Sequence, residues 1–143
     1  LWLEGLGAKV ADWAARGALR WPSVPKLMRT DVRDRRVRHE NPCYDRIPTR
    51  ALGELARFMK LVGGELEGVR CPVLVLHGEQ DDTVPVGCAA RIAARTRAVR
   101  TRILPRSYHL IAADVERDIV AAEVIDFMRR NVRAKTGEVS CAM

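Results

Sequence analysis

The sequence predicts an α/β fold built on a parallel sheet, and three observations carry that reading. The stretch "CPVLVLHG", residues 71–78, sets Val73, Leu74, Val75 and Leu76 in unbroken succession between Pro72 and Gly78. A half-exposed strand alternates apolar and polar residues; a strand covered on both faces need not, and the run is too short for a helix. From residue 71 onward the order reads strand, loop, helix, strand, loop, helix, the grammar of an open sheet with right-handed crossovers. The last helix opens on acids (Asp114, Glu116, Asp118) and closes on bases (Arg129, Arg130, Arg133), which suits the helix macrodipole.

Taken in order, Trp2, Leu6, Val10 and Trp13 recur about one helical turn apart and predict an amphipathic helix over residues 2–20. Residues 21–48 are punctuated by Pro22, Pro25, Pro42 and Pro48 and read as loop with short helical pieces. A helix follows from Thr49, a candidate cap, with Leu52, Leu55, Met59 and Val62 on one face and Gly63 and Gly64 as its stop. The strand at 71–78 comes next. Pro85 then precedes a helix to about Arg95, and "RTRILP", residues 100–105, forms a second short strand. The last helix spans residues 115–131, with Val115, Ile119, Val120, Val124, Phe127 and Met128 facing inward.

The chain has 143 residues, 48% hydrophobic and 30% charged, enough for one ordinary core in a globular protein. No apolar run approaches the roughly 20 residues a membrane span needs. The chain opens without Met and without a signal-peptide layout, so it reads as beginning inside a longer frame. The net charge is +7, from 21 Arg and 4 Lys against 18 acids. Five of those arginines fall in "RTDVRDRRVRHE", residues 29–40. Without interleaved aromatics or a recognisable nucleic-acid platform, the segment reads as a solvated surface, and no nucleic-acid partner is expected. Cys43, Cys71, Cys88 and Cys141 show no metal spacing. They read as reduced thiols of a cytoplasmic protein, and no metal or organic cofactor is implied.

In open α/β sheets, reactive groups gather outside the carboxyl ends of the strands. Two loops leave those ends here. One carries Asp81 and Asp82; the other, "RSYHLIAAD", carries His109. An acid on one such loop and a histidine on the next are placed to hydrogen bond, fixing the imidazole tautomer. The bland alternative is a surface histidine beside a capping pair of aspartates, and spacing alone does not choose between them.

The wording of the loops favours the catalytic reading. "PVLVLHGEQDDTVP" followed by "RILPRSYHLIAAD" resembles the closing part of an α/β-hydrolase, of the carboxylesterase and monoacylglycerol lipase type. The resemblance runs over residues 44–130. It implies a fold that is the C-terminal portion of an α/β-hydrolase parallel sheet with flanking helices, preceded by a helical cap. The divisions implied are cap over 1–47, core over 48–135 and a flexible tail over 136–143. It also implies that Asp81, three residues after Gly78, is the catalytic acid. His109 takes the place of the catalytic histidine, although Tyr108 stands where the family has Gly. Asp82 is then left to cap the turn or face solvent, His77 to support structure, His39 to lie in solvent, and Asp114 and Asp118 to open the last helix.

A serine hydrolase also needs a nucleophile on a G-x-S-x-G elbow and an oxyanion hole. The chain has no such motif; its serines are Ser23, Ser107 and Ser140. In the family the elbow precedes the cap, so the serine is expected upstream and this chain alone is expected to be inactive. The implied substrate is a small acyl ester. Trp2, Leu6, Trp13 and Trp21 are candidates to line an acyl pocket or to pack the cap. Two alternatives stand beside this one: a thioesterase, C–C hydrolase, dehalogenase or acyltransferase of the same fold, or a non-catalytic interaction protein that lacks the nucleophile.

Overall fold

The computed structural model describes residues 22–25, 31–40, 44–96 and 99–138. The helix expected over 2–20, with Trp2, Leu6, Trp13 and Trp21, lies outside them, as do Cys43, Ser140 and Cys141. The elements run β1 (Ser23–Pro25), α1 (Arg35–Glu40), β2 (Arg46–Pro48), α2 (Thr49–Glu65), β3 (Val73–Gly78), α3 (Gly87–Arg95), β4 (Val99–Leu104) and α4 (Arg117–Glu138). They fall into two compact units. One comprises residues 1–27 and 42–68, the other residues 28–41 and 69–143. Part of the arginine-rich stretch thus groups with the strand-and-helix region rather than with the rest of the expected cap.

In the first unit, β1 and β2 pair antiparallel, Val24 opposite Ile47. Arg46 fastens the ribbon, its Nε donating to Ser23 Oγ at 2.8 Å and its Nη2 to the Ser23 carbonyl at 2.9 Å. Thr49 is not the cap the sequence suggested. The cap position is Pro48, and no side chain bonds there. Thr49 is buried, and its N–H donates to the Pro22 carbonyl. Helix α2 also runs through Gly63 and Gly64 to Glu65 before a 3₁₀ turn at Leu66–Gly68. Neither glycine adopts the left-handed conformation that would have ended it. On the face expected to be inner, Leu55 and Val62 are exposed, while Leu52 and Met59 are half-buried.

The second unit is built on β3 and β4, which pair in parallel, Val73 opposite Val99 through Gly78 opposite Leu104. Helix α3 makes the crossover and packs on both strands. Val75, Ala89, Leu104 and Val120 form the core, joined by Val32 from the segment before α1. Strand β3 was expected to be covered on both faces. Val75 and Gly78 are buried, whereas Val73, Leu74, Leu76 and His77 are half-buried, because among the described residues its strand partner is β4 alone.

Helix α4 departs furthest from its expected pattern. Val115 precedes it and is exposed, as are Val124 and Met128, although all three were assigned inward; Val120 is buried and Ile119 and Phe127 are half-buried. The inner stripe is partly ionic. Glu123 is buried and meets Arg102 Nη1 and Arg100 Nη2 of β4, each at 2.7 Å. Asp126 takes Arg100 Nη1 at 2.6 Å and Arg130 Nε at 2.9 Å. Long arginine stems from β4 therefore occupy surface that an apolar strand residue would have offered to the helix.

Candidate active site

Both candidate residues sit on loops that leave the carboxyl ends of the parallel strands. Gly78 ends β3, and its lack of a side chain is required: a Cβ there would collide with the carbonyls of Ser107 and Tyr108 in the neighbouring loop. That close approach lets the two loops bond directly. Glu79 N–H donates to the Leu104 carbonyl at 2.9 Å, and Gln80 N–H to the Ser107 carbonyl at 3.1 Å.

The next residue, Asp81, divides its two carboxylate oxygens between two tasks. Oδ1 accepts the N–H groups of Thr83 and Val84, both at 2.8 Å, closing the turn that leads into α3. Oδ2 lies 2.9 Å from His109 Nδ1. The Asp81 side chain is only 4% exposed and that of His109 36%, so the acid is shielded while the ring remains reachable. A carboxylate accepts and does not donate, so the network assigns the bridging proton to His109 Nδ1 and leaves Nε2 of the neutral ring with a lone pair. A histidine in this state takes a proton at Nε2 while its opposite side is held by the acid.

His77 approaches the same oxygen, with Nε2 3.7 Å from Asp81 Oδ2. Its Nδ1 donates to the Gly78 carbonyl at 2.8 Å, which leaves Nε2 of the neutral ring without a proton to offer the carboxylate. His109 is therefore the imidazole bonded to Asp81. Asp82 is exposed, so the turn-capping role considered for it falls to Asp81. His39 is exposed on α1 and Asp118 is exposed in the first turn of α4.

Tyr108 raises no backbone difficulty, since among the described residues no non-glycine residue has positive φ. Ser107 is fully buried and its hydroxyl donates to Glu116 Oε2 at 2.8 Å. Ser23 Oγ accepts from Arg46 in the other unit. Burial pushes the Cys88 thiol up, with the Asp81 charge adding to the effect and Arg91 opposing it, so its thiolate is disfavoured. Among the described residues, no group of three or more His, Cys, Asp or Glu is placed to hold a metal. A cleft between β4 and α4, edged by Arg100, Arg102 and Glu123, contains neither Asp81 nor His109.

Sequence reasoning missed Asp114. It was taken for a helix-opening residue, yet α4 begins only at Arg117. Its side chain is completely buried, and its two oxygens accept four backbone N–H groups, from Arg33, Asp34, Tyr108 and Val115. The sequence signal for it was slight: an aspartate just before a helix is usual, and its partners at 33 and 34 are remote in the chain.

Comparison with solved structures decides the fold. A metagenome-derived lipolytic enzyme, from work describing LipS and LipT, superposes with a TM-score of 0.74 at 20% identity, over 84% of this chain and 49% of that one. The fold is that of part of an α/β-hydrolase. The monoacylglycerol lipase of Paleococcus ferrophilus superposes with a TM-score of 0.63 at 19% identity, over 85% of this chain and 49% of that one. In sequence, the chain is 28% identical over 90 residues to the thermostable monoacylglycerol lipase of Bacillus sp. (strain H-257), which is 62% of this chain and 36% of that protein. No family model matches. The chain thus spans about half the length of these α/β-hydrolase structures and aligns with about a third of the curated relative. Among the described residues, no helix is long and apolar enough to cross a membrane.

Proposed function

We propose that the protein is a serine hydrolase of carboxylic esters, of carboxylesterase or lipase type, in which Asp81 and His109 are the acid and the histidine of a triad. The nucleophilic serine would come from sequence upstream of Leu1. The observation that carries the reading is the 2.9 Å bond between His109 Nδ1 and Asp81 Oδ2, made by two strand-end loops 28 residues apart. The lipolytic names of the sequence and structural relatives support an acyl ester as substrate. The free thiols Cys71 and Cys88 support a cytoplasmic location.

In this mechanism His109 Nε2 takes the serine hydroxyl proton as the serine oxygen bonds to the acyl carbon. It then returns that proton to the departing alcohol; in the second half-reaction it deprotonates the water that attacks the acyl carbon and passes that proton to the serine oxygen as the acid is released. Asp81 holds the ring in the Nδ1–H tautomer throughout and offsets the charge of the imidazolium. The 143-residue chain by itself supplies histidine and acid without an elbow serine, and is expected to release no product.

The test is to express the chain together with the in-frame coding sequence that precedes Leu1 and to treat the product with a serine-directed phosphonate. Labelling of a single upstream serine, with ester turnover lost in D81A and H109A, is the expected result. An extended protein that takes no label and cleaves no nitrophenyl ester would end the hydrolase reading and leave a binding protein on a hydrolase fold.

A further inference from the structure

Residues 31–34, read from sequence as part of a solvated arginine-rich surface, are instead bonded into both loops that carry the candidate site. The Asp31 carbonyl accepts the N–H of Leu110, immediately after His109, at 2.8 Å. Its side chain faces the acid loop, with Thr83 Oγ1 3.5 Å from Asp31 Oδ1, a long contact. Val32 is 1% exposed. Arg33 N–H and Asp34 N–H then reach Asp114 Oδ1 at 2.7 and 3.0 Å, and the same oxygen accepts Val115 N–H at 2.8 Å. Asp114 Oδ2 accepts Tyr108 N–H, immediately before His109, at 2.8 Å.

His109 is therefore held between two backbone bonds, one on each side, and both lead to the same short segment. Tyr108 reaches it through Asp114, and Leu110 reaches it through Asp31. A fully buried carboxylate is costly unless its acceptors are filled. Here four N–H donors fill them, and three belong to chain segments that are far apart or separated by a turn. Removing the carboxylate would strand those donors rather than merely delete one bond. Further ties lock the segment. Arg117 Nη1 meets Asp34 Oδ2 at 3.2 Å, and Arg38 Nη2 donates to the Val32 carbonyl at 3.3 Å.

We infer that Asp114 is a positioning residue for His109: by joining the Tyr108 N–H to the bracing segment 31–34, it fixes the backbone of the histidine loop so that Nδ1 meets Asp81. The inference rests on the Asp81–His109 reading given above, and it adds a function for a stretch that looked like plain surface. Asp114 itself touches no reacting group; it acts through the loop.

The near-isosteric variant D114N makes a selective test. An amide can keep one acceptor oxygen toward Arg33, Asp34 and Val115, but its NH₂ must then face the Tyr108 N–H, donor against donor. Nuclear magnetic resonance on the protein extended through its upstream coding sequence reads the outcome without activity, the His109 ring being assigned by its loss from the spectrum in H109A. In D114N the Tyr108 amide is expected to exchange faster by on the order of tenfold, the equivalent of about one hydrogen bond. Arg33 and Asp34 should stay protected. The His109 ring should pass from a single Nδ1–H tautomer to a mixture in the proton–nitrogen correlation spectrum. A purely structural role would lower the melting temperature and leave that tautomer unchanged, which would overturn the inference.

Hydrogen exchange on the unsubstituted protein, extended through its upstream coding sequence, gives a second test that does not depend on a variant folding. Tyr108, Leu110, Arg33 and Asp34 amides should open together with one free energy; separate opening of Tyr108 from Arg33 and Asp34 would overturn the inference. D81N separates this proposal from the one beneath it. If D81N leaves the His109 tautomer intact, the acid–histidine reading fails. If D81N disturbs it and D114N does not, the brace alone fails.

Discussion

Asp81 and His109 are joined through a single carboxylate oxygen, Oδ2, 2.9 Å from Nδ1, while the other oxygen closes the acid's own turn on Thr83 and Val84. The two tasks can be separated by mutation. D81N keeps an acceptor for the turn but turns an NH₂ toward Nδ1, which forces the ring proton to Nε2 and removes the base. Its stability should change little, whereas D81A also strands the half-buried N–H donors of Thr83 and Val84 and should cost about 1–3 kcal/mol more. In the catalytically complete protein, turnover should fall on the order of 10⁴-fold in D81N. Denaturant melts of the two variants, run beside ester turnover, check the separation. Equal stability losses would show that the turn does not depend on Oδ1.

Glycines in this chain should respond to alanine in opposite directions. At Gly78 a methyl group would strike the Ser107 and Tyr108 carbonyls, which belong to backbone and can retreat only by moving the His109 loop. G78A is expected to destabilise by about 1–3 kcal/mol and to lengthen the Asp81–His109 bond. At Gly63 and Gly64, inside α2, nothing lies within 4 Å of an added Cβ. Alanine there should stabilise by about 0.5–1 kcal/mol each, by lowering the entropy of the unfolded chain. Thermal unfolding of the three single variants settles the signs.

The two described cysteines should be alkylated in a fixed order. Cys71 is exposed, whereas Cys88 is half-buried and burial raises its thiol pKa, with Asp81 reinforcing the shift. Less thiolate and less access both slow reaction. Timed iodoacetamide labelling near neutral pH, read by peptide mass, should show Cys71 modified well before Cys88. D81N should narrow the gap, because the neighbouring negative charge is gone.

How much of this was legible beforehand depended on whether the signal was local. The apolar run at 73–76 and Gly78 announced a parallel strand because the signal is local, whereas Asp81 and His109, 28 residues apart, were singled out by the resemblance of their two loops to a known family and not by spacing. The stop expected at Gly63 and Gly64 failed for a reason just as local: glycine permits a left-handed end but does not impose one. The inner stripe of α4 was misjudged because hydrophobic periodicity ignores what the strand offers. Arg100 and Arg102 of β4 reach Glu123 and Asp126, so acids took places where apolar residues were expected. Asp114 was invisible because three of its four donors lie outside its own turn, and the pairing of residues 33 and 34 with residue 114 is a property of the folded chain alone.

That ionic seam predicts how the second unit responds to acid. Asp126 has its pKa lowered, first by the hydrogen bond from Arg100 and then by that from Arg130; Asp34 is lowered first by the Arg36 N–H. A carboxylate whose folded-state pKa is depressed binds its proton more readily in the unfolded chain. Its contribution is complete above the unfolded value of about 3.9 and disappears as the pH falls through the folded value. Stability arising from these two groups should therefore be flat from about pH 5 to 8 and decline below about pH 4. D126N should lie below the unmodified chain in melting temperature at neutral pH, and the two curves should converge as acid protonates Asp126. The side chains of Arg100 and Asp126 are 42% and 39% exposed, so about 1 M salt should shrink the neutral-pH difference by screening. A gap between the two curves that persists at about pH 2 would instead assign Asp126 a packing role, independent of its charge.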